Sequence, residues 1–403
     1  MNLDVFPAEV KSLIEKKKFF PSSVILNNFG KSNHLHSTHV IDMVKDALSV
    51  ARKVHSSGAG VGFNAVKYAA VAQFIRDLDA QSVDYVKACA SCVTIPIWHD
   101  EILQILSLKK NTTDFMSVVI QIGISDSFMD AVKEDGDYAL RDPITKNVSR
   151  VVKAKEIFDA ITTSISQSGN PGIVFIDTIN NVHPFPQMVS TTDVCGVMPL
   201  NSGESSPLGS INVSLVNSDE LESVVRSAVS FLDDCIGQCV EVDSKFSLAK
   251  RRRKIGLGIM GLAEYLDAKG MDYDSEEGRE VAAGLMEKIL AIALGESQKR
   301  AASLGKIMDM NQASAYGMLP IRNATLLGIA PTGTISSFAS VTAGMQSSST
   351  CSGEGQVRMQ AALQKHVDNA ISNTIHCSCD EVEELMFLAH SLKCKGVSFF
   401  VKK

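Results

Sequence analysis

Apolar positions along this chain recur with two periods, and the alternation between them outlines its elements. Ile41, Val44, Leu48 and Ala51 fall three or four apart and predict one helical face. Leu221, Val224, Val225, Ala228, Leu232 and Cys235 predict a second, and residues 281–304 a third. Between them lie short apolar or β-branched runs bounded by Gly, Pro or Asp, at 172–177, 254–260 and 325–330, which read as buried strands. The C-terminal part repeats the alternation, with helices expected over 359–372 and 382–392 and a strand over 396–401. Helices alternating with buried strands predict an α/β architecture with parallel strands. No internal repeat is present. The segment 346–356, which contains QSSSTCSGEG, offers almost nothing to a core and reads as a short linker between a main body, 1–345, and a helix–helix–strand tail, 357–403.

Composition narrows the class. With 403 residues, 45% hydrophobic and 21% charged, the chain can bury a large core, and a net charge of −6 argues against disorder and against a general nucleic-acid binder. Nine cysteines are too sparse for a disulfide scaffold. The longest apolar run, ILAIAL at 289–294, is far short of a membrane span, and Asp4, Glu9 and Lys11 break any leader-like start. The expectation is a cytoplasmic protein in a reducing compartment, with neither DNA, RNA nor membrane as partner.

Four stretches carry candidate chemistry. In 325–336, TLLGIAPTGTIS, an apolar run meets Pro331, and Thr332, Gly333, Thr334 and Ser336 then offer small side chains and open amides. A helix starting there makes an anion site; the alternative is an ordinary turn with a threonine cap. In 56–64, SSGAGVGFN, Gly58, Gly60 and Gly62 permit close backbone approach to a ligand, although a plain loop explains them equally. Cys89 and Cys92 are spaced Cys-x-x-Cys and Cys377 and Cys379 Cys-x-Cys, without the partners of a metal site. Cys195 lies in TTDVCGV, a segment with no clear period.

Read together, seven stretches resemble the large catalytic chain of ribonucleotide reductase, most closely its adenosylcobalamin-dependent class II form. They are FPSSVILNNFG from Phe20, SSGAGVGFN, GNPGIVFIDTIN from Gly169, ESSPLGSINV from Glu204, RRRKIGLGIMGLAEYL from Arg251, IAPTGTIS, and MQAALQKHVDNAISNTI from Met359. The resemblance implies a single domain over 1–403: a ten-stranded α/β barrel of two parallel half-sheets, shortened relative to the family, with a central finger loop. It implies that Cys195, at the finger tip, becomes a thiyl radical and takes the 3′-hydrogen of a ribonucleotide. It also implies that residues 331–336 hold phosphates, and that Ser22, Ser23 and the Gly58–Gly62 turn line the substrate pocket. Adenosylcobalamin is the implied radical source, because the tyrosine pair of class I is replaced by Phe399 and Phe400 and Gly396 lies in a strand pattern.

The departures are coordinated. The family pattern Asn-x-Cys-x-Glu reads Asp193, Cys195, Val197 here, so the glutamate general base is missing. The two cysteines that reduce the ribose fall at Thr38 and Ser206. No C-terminal cysteine pair and no N-terminal nucleotide-sensing domain are expected. Three readings follow. One is a thiyl-radical enzyme with a non-reductive outcome (epimerisation, rearrangement or elimination) on a nucleotide or nucleoside, with Asp193 as nearest acid–base group. The others are a true reductase completed by a partner chain or homodimer, and a nucleotide-binding paralogue without activity.

Overall fold

The computed structural model describes residues 2–32, 34–82, 90–109, 114–115, 117–240, 246–307, 316, 319–347 and 351–402. The fold is mixed α/β. Five strands, Thr38–Asp42, Gly60–Asn64, Ser91–Pro96, Val118–Ile124 and Gly172–Phe175, run parallel in that order at the centre of an eight-stranded sheet. Their near-continuous burial matches a parallel sheet covered on both faces. The flanking pairings, Ser205–Ser206 on one edge and Gly396–Val401 on the other, are antiparallel, which departs from an all-parallel expectation.

A second sheet joins Phe19–Pro21 to Leu208–Asn212 and that strand, in parallel, to Gly256–Met260. Single parallel bridges extend it from Leu257 to Leu327 and from Ile329 to Ile371. The run 325–330 therefore behaves as expected in position, but it pairs through isolated bridges instead of a ladder. Among the described residues no ladder joins the two sheets into a closed barrel. Each sheet has its own apolar cluster, one built around Val61, Ile95, Ile122 and Phe158, the other around Phe19, Ile211, Ile259 and Leu327.

The long helices form where the period predicts them, at Ser218–Gln238 and Glu276–Leu304, and the strand Gly396–Val401 is also as expected. Three expectations shift. Ile41 lies in a strand, and the following helix starts only at Ala47, with Val44 exposed between them. The glycine-rich segment is a strand, Gly60–Asn64, in mid-sheet. The helix expected at 359 begins at Gly353, because Ser352 caps it by accepting from Gly355 N at 2.9 Å, so half of the supposed linker is helix start. The tail is not set apart: its Val357 and Ala361 enter one apolar cluster, Met359 and Leu363 the other.

Candidate functional site

Between the two sheets lies a hairpin made of Thr191–Thr192 and Pro199–Leu200, with Cys195 at its tip. Glycines on both sheets make room for it. A Cβ on Gly62 would lie 2.6 Å from Thr192 O, and one on Gly60 would lie 2.9 Å from Val194. Opposite, a Cβ on Gly328 would lie 2.9 Å from Val197, and one on Gly256 2.7 Å from Met198 Sδ. These contacts are too short for any side chain to enter without displacement. The hairpin is also tied down by hydrogen bonds: Thr94 Oγ1 lies 2.8 Å from Thr191 Oγ1, and Thr94 and Thr192 both donate to Gln121 Oε1, at 3.0 and 2.8 Å. Asp193 Oδ1 accepts from the amides of Val197 and Met198 at 2.7 and 3.0 Å and so fixes the tip.

The tip faces a cavity of about 260 Å³. Of the expected residues, Ser22, Ser23, Gly58, Gly60, Asp193, Cys195, Pro331, Thr332, Gly333 and Thr334 all line it, although they come from four separate stretches of sequence. Gly62 and Ser336 do not. Gly62 is consumed by the approach of the hairpin, and Ser336 is buried in the first turn of the Gly333–Ala339 helix, its Oγ donating to Gly333 O. Thr332 does not cap that helix. Its φ is +50°, and its hydroxyl instead accepts from Gly344 N at 2.7 Å. The opening amides of the helix therefore lack a side-chain cap where they border the cavity. A Cβ on Gly333 would meet nothing within 4 Å. Ser22 is partly engaged already, accepting from Ser37 Oγ at 2.8 Å and capping the Ser23–Asn28 helix. The sequence reading of the lining omitted Ser37, which carries no motif of its own, and did not assign Thr38, Ser210 or Ile335 to the lining although each falls in or at a stretch it had singled out.

The electrostatics set the protonation states. Burial, aided by the Asp193 charge, pushes the Cys195 thiol up to about 12, so it is a neutral S–H at physiological pH. It is poorly suited to thiolate nucleophilic chemistry and well suited to giving up a hydrogen atom. Asp193 is 1% exposed, and burial lifts its carboxyl to about 6 against backbone hydrogen bonds that pull it down. Its Oδ2 is buried and has no hydrogen-bond partner among the described residues, and the Thr38 hydroxyl is in the same condition. Buried polar atoms are normally satisfied; these two orphans belong to residues that border the cavity but are themselves closed off from solvent.

Val197, at the position of the family glutamate, packs with Val40, Met198, Leu200 and Leu208 in a small apolar cluster and does not line the cavity. Thr38 and Ser206 are register partners across an antiparallel ladder. Directly opposed Cα atoms there lie about 4.5–5.5 Å apart, within the span of a disulfide. The resemblance puts the family's redox cysteines at or near these two register-paired positions, where this chain has threonine and serine. Cys92 is buried, Cys89 lies outside the described residues, and no metal-binding cluster occurs among the described residues.

Two of the family-like stretches meet away from the cavity. Glu204 accepts from Arg252 at 2.6 Å, Lys254 at 2.8 Å and the Asn201 amide at 2.7 Å. Burial works against its charge, but the two cations keep the carboxyl below its ordinary value. This hub holds the return strand of the hairpin, since Lys254 also donates to Pro199 O at 2.9 Å. Sequence reading could not find it, because its members are some fifty residues apart.

Comparison with known proteins agrees with this geometry. The family described as "Ribonucleotide reductase, barrel domain" matches residues 31–320. The vitamin B12-dependent ribonucleoside-diphosphate reductase of Mycobacterium tuberculosis is 30% identical over 387 residues, covering 77% of this chain and 56% of that protein. The protein of the same description from Thermoplasma acidophilum is 30% identical over 364 residues, covering 80% and 47%. The ribonucleoside-diphosphate reductase large subunit of Variola virus is 23% identical over 355 residues, covering 72% and 46%. The chain spans about half the length of the curated relatives it matches. Among the described residues no helix is long and apolar enough to cross a membrane. A hairpin threaded between two sheets, a cysteine at its tip and a family match over most of the chain lead to one conclusion: the chain belongs to the ribonucleotide reductase large-chain family.

Proposed function

We propose that this chain is a class II-type thiyl-radical enzyme acting on the ribose of a nucleotide, with an outcome that consumes no external electrons. The observation that carries the proposal is that a neutral Cys195 thiol and a buried Asp193 carboxyl with a raised pKa both belong to the lining of one cavity, while the dithiol positions implied by the resemblance hold Thr38 and Ser206. The five parallel strands at the centre of the eight-stranded sheet, and the three-stranded sheet with its two bridged extensions on the other side of the hairpin, support a barrel of the family's kind.

In this reading the opening amides of the Gly333–Ala339 helix hold the phosphate, and Gly58 and Ser23 border the sugar. The Cys195 thiyl takes the 3′-hydrogen, which restores S–H and leaves a carbon radical, while Asp193 accepts the 3′-hydroxyl proton. Return of the hydrogen from Cys195 to carbon and of the proton from Asp193 to oxygen regenerates the thiyl and the carboxylate, so a rearrangement balances without reductant, as does an epimerisation in which the hydrogen returns to the opposite face of the sugar. Two-electron removal of the 2′-hydroxyl needs a dithiol, and threonine and serine, the residue types at 38 and 206, cannot supply electrons. The relatives' names say vitamin B12-dependent; in the adenosylcobalamin form this cofactor would supply an organic radical able to remove a thiol hydrogen atom. A cavity of about 260 Å³ suits a sugar phosphate and not a corrinoid as well, so Cys195 is the residue the cofactor would act on from outside the sugar site.

The test is the product profile with adenosylcobalamin, a dithiol and a nucleotide panel. The expected result is cofactor-dependent change at the ribose without 2′-deoxynucleotide. Sustained dithiol-dependent deoxynucleotide formation would replace this proposal with ordinary reduction.

A further inference from the structure

The strand Val118–Ile124 carries one polar side chain among apolar ones, Gln121, and it is 5% exposed. A parallel sheet covered on both faces is ordinarily filled with apolar residues. Gln121 Oε1 accepts from Thr94 on the adjacent strand at 3.0 Å and from Thr192 in the hairpin at 2.8 Å. A single oxygen thus ties two central strands to the segment that leads into Cys195. At the other end of the amide, a Cβ on Gly196 would lie 3.4 Å from Gln121 Nε2, and Gly196, with φ +72°, is the residue after Cys195. Gln121 therefore bears on the hairpin on both sides of Cys195, at Thr192 before it and at Gly196 after it. Asp193 cannot do the same, because the amides of Val197 and Met198 belong to the hairpin itself.

Thr94, Thr191 and Thr192 are fully buried. Apolar groups of the same shape could hold the sheet together equally well, whereas a satisfied polar network adds a single defined geometry. Hydrogen transfer depends on that geometry, since a displacement of about 1 Å at the reacting atoms costs about a hundredfold in rate. We propose that Gln121 is a positioning residue: with Thr94 and Thr192 it sets where the Cys195 thiol stands relative to the sugar cavity. None of the three lines that cavity, so nucleotide affinity should not depend on them. The consequence for turnover rests on the thiyl reading of Cys195; the consequence for the placement of the sulfur does not.

The test compares Thr192→Val, which keeps the branched shape and removes the hydroxyl, with Thr192→Ser, which keeps the hydroxyl, and with Gln121→Leu, all in the full chain. Three quantities are read: the rate of Cys195 alkylation by iodoacetamide, followed by peptide mass; the nucleotide dissociation constant; and the redistribution of tritium from the 3′-position with adenosylcobalamin. Thr192→Val and Gln121→Leu are expected to raise the alkylation rate at least about threefold, by loosening the tip. They should slow tritium redistribution at least about tenfold, with affinity unchanged, and Thr192→Ser should behave as wild type. Wild-type alkylation and redistribution in both damaged variants overturn the proposal, as does an equal loss in Thr192→Ser, which would reduce the position to packing. Nucleotide binding that weakens in step with turnover overturns it too, by assigning these residues to the substrate. A wild type that redistributes no tritium defeats the thiyl reading, while the alkylation rates still decide the placement of the sulfur. Should Gln121→Leu fail to fold, the contrast between Thr192→Val and Thr192→Ser carries the decision.

Discussion

Asp193 and Asp233 are both almost inaccessible to solvent, yet the protein treats them in opposite ways. Asp233 is surrounded by three guanidinium groups and Asn323, and although burial opposes its charge, these partners hold its carboxyl below the ordinary range. Asp193 has backbone amides on one oxygen and no partner among the described residues on the other, and burial wins, lifting it to about 6. The first environment is that of a structural joint. The second leaves a carboxylate unstable in its charged form beside a thiol and a cavity, a pattern associated with functional groups. The fold thus spends its cations on the outer hub and leaves the cavity wall incomplete.

The contrast can be broken by mutation, and the largest effect belongs to the cavity. Cys195→Ser should abolish turnover while leaving nucleotide affinity and melting temperature close to wild type; residual turnover above background would remove the cysteine from the chemistry. Asp193→Asn keeps an Oδ1 acceptor for the Val197 and Met198 amides, so the tip should stay folded while the rate falls about 10²–10⁴-fold. In the wild type the rate should rise with pH through about 6, and that limb should vanish in the variant.

The same pair of carboxylates gives opposite stability profiles. The folded value of Asp193 lies above its ordinary 3.8, so its contribution is fully present below about pH 3.8 and is lost as pH rises through about 6. Asp193→Asn should therefore stabilise the protein at neutral pH, by about 3 kcal/mol at most. The folded value of Asp233 is depressed, so its contribution is present above pH 3.8 and is lost as pH falls through the folded value. Asp233→Ala strands three guanidinium groups and should cost about 3–5 kcal/mol in urea unfolding at pH 7. Equal and same-signed effects for both residues would erase the distinction drawn here. The smallest effect is expected at Gly333→Leu: about tenfold weaker nucleotide binding with unchanged stability, because its side chain would extend into open space.

Much of this arrangement was legible in the sequence where a single physical rule dominated. The helices at Ser218–Gln238 and Glu276–Leu304 are long enough for their period to be unambiguous. Cys195 was readable as a site only through resemblance, since no period or spacing marks it, whereas the 331–334 turn was readable from its small residues and open amides as one of two alternatives, an anion site or an ordinary turn. Gly60 and Gly62 misled, because a glycine that admits a neighbouring strand looks the same in sequence as one that admits a ligand. Ile41 misled because buried strands and helix faces both present apolar residues, and only the exposure of Val44 separates them. The orphaned oxygens of Asp193 and Thr38 and the hubs around Glu204 and Asp233 were invisible, since they arise from residues brought together across tens to hundreds of positions.

The most direct measurement follows a label at the reacting carbon. The protein is incubated with adenosylcobalamin, a dithiol reductant and ribonucleotide tritiated at the 3′-position, and both the distribution of tritium and 2′-deoxynucleotide are quantified. The account predicts a redistribution of tritium, to another ribose carbon, to the opposite configuration or in part to solvent, in the wild type but not in Cys195→Ser, and no 2′-deoxynucleotide accumulating with it. An identical label distribution in the wild type and Cys195→Ser would contradict hydrogen abstraction at Cys195, and deoxynucleotide formed in step with dithiol consumption would contradict the non-reductive outcome.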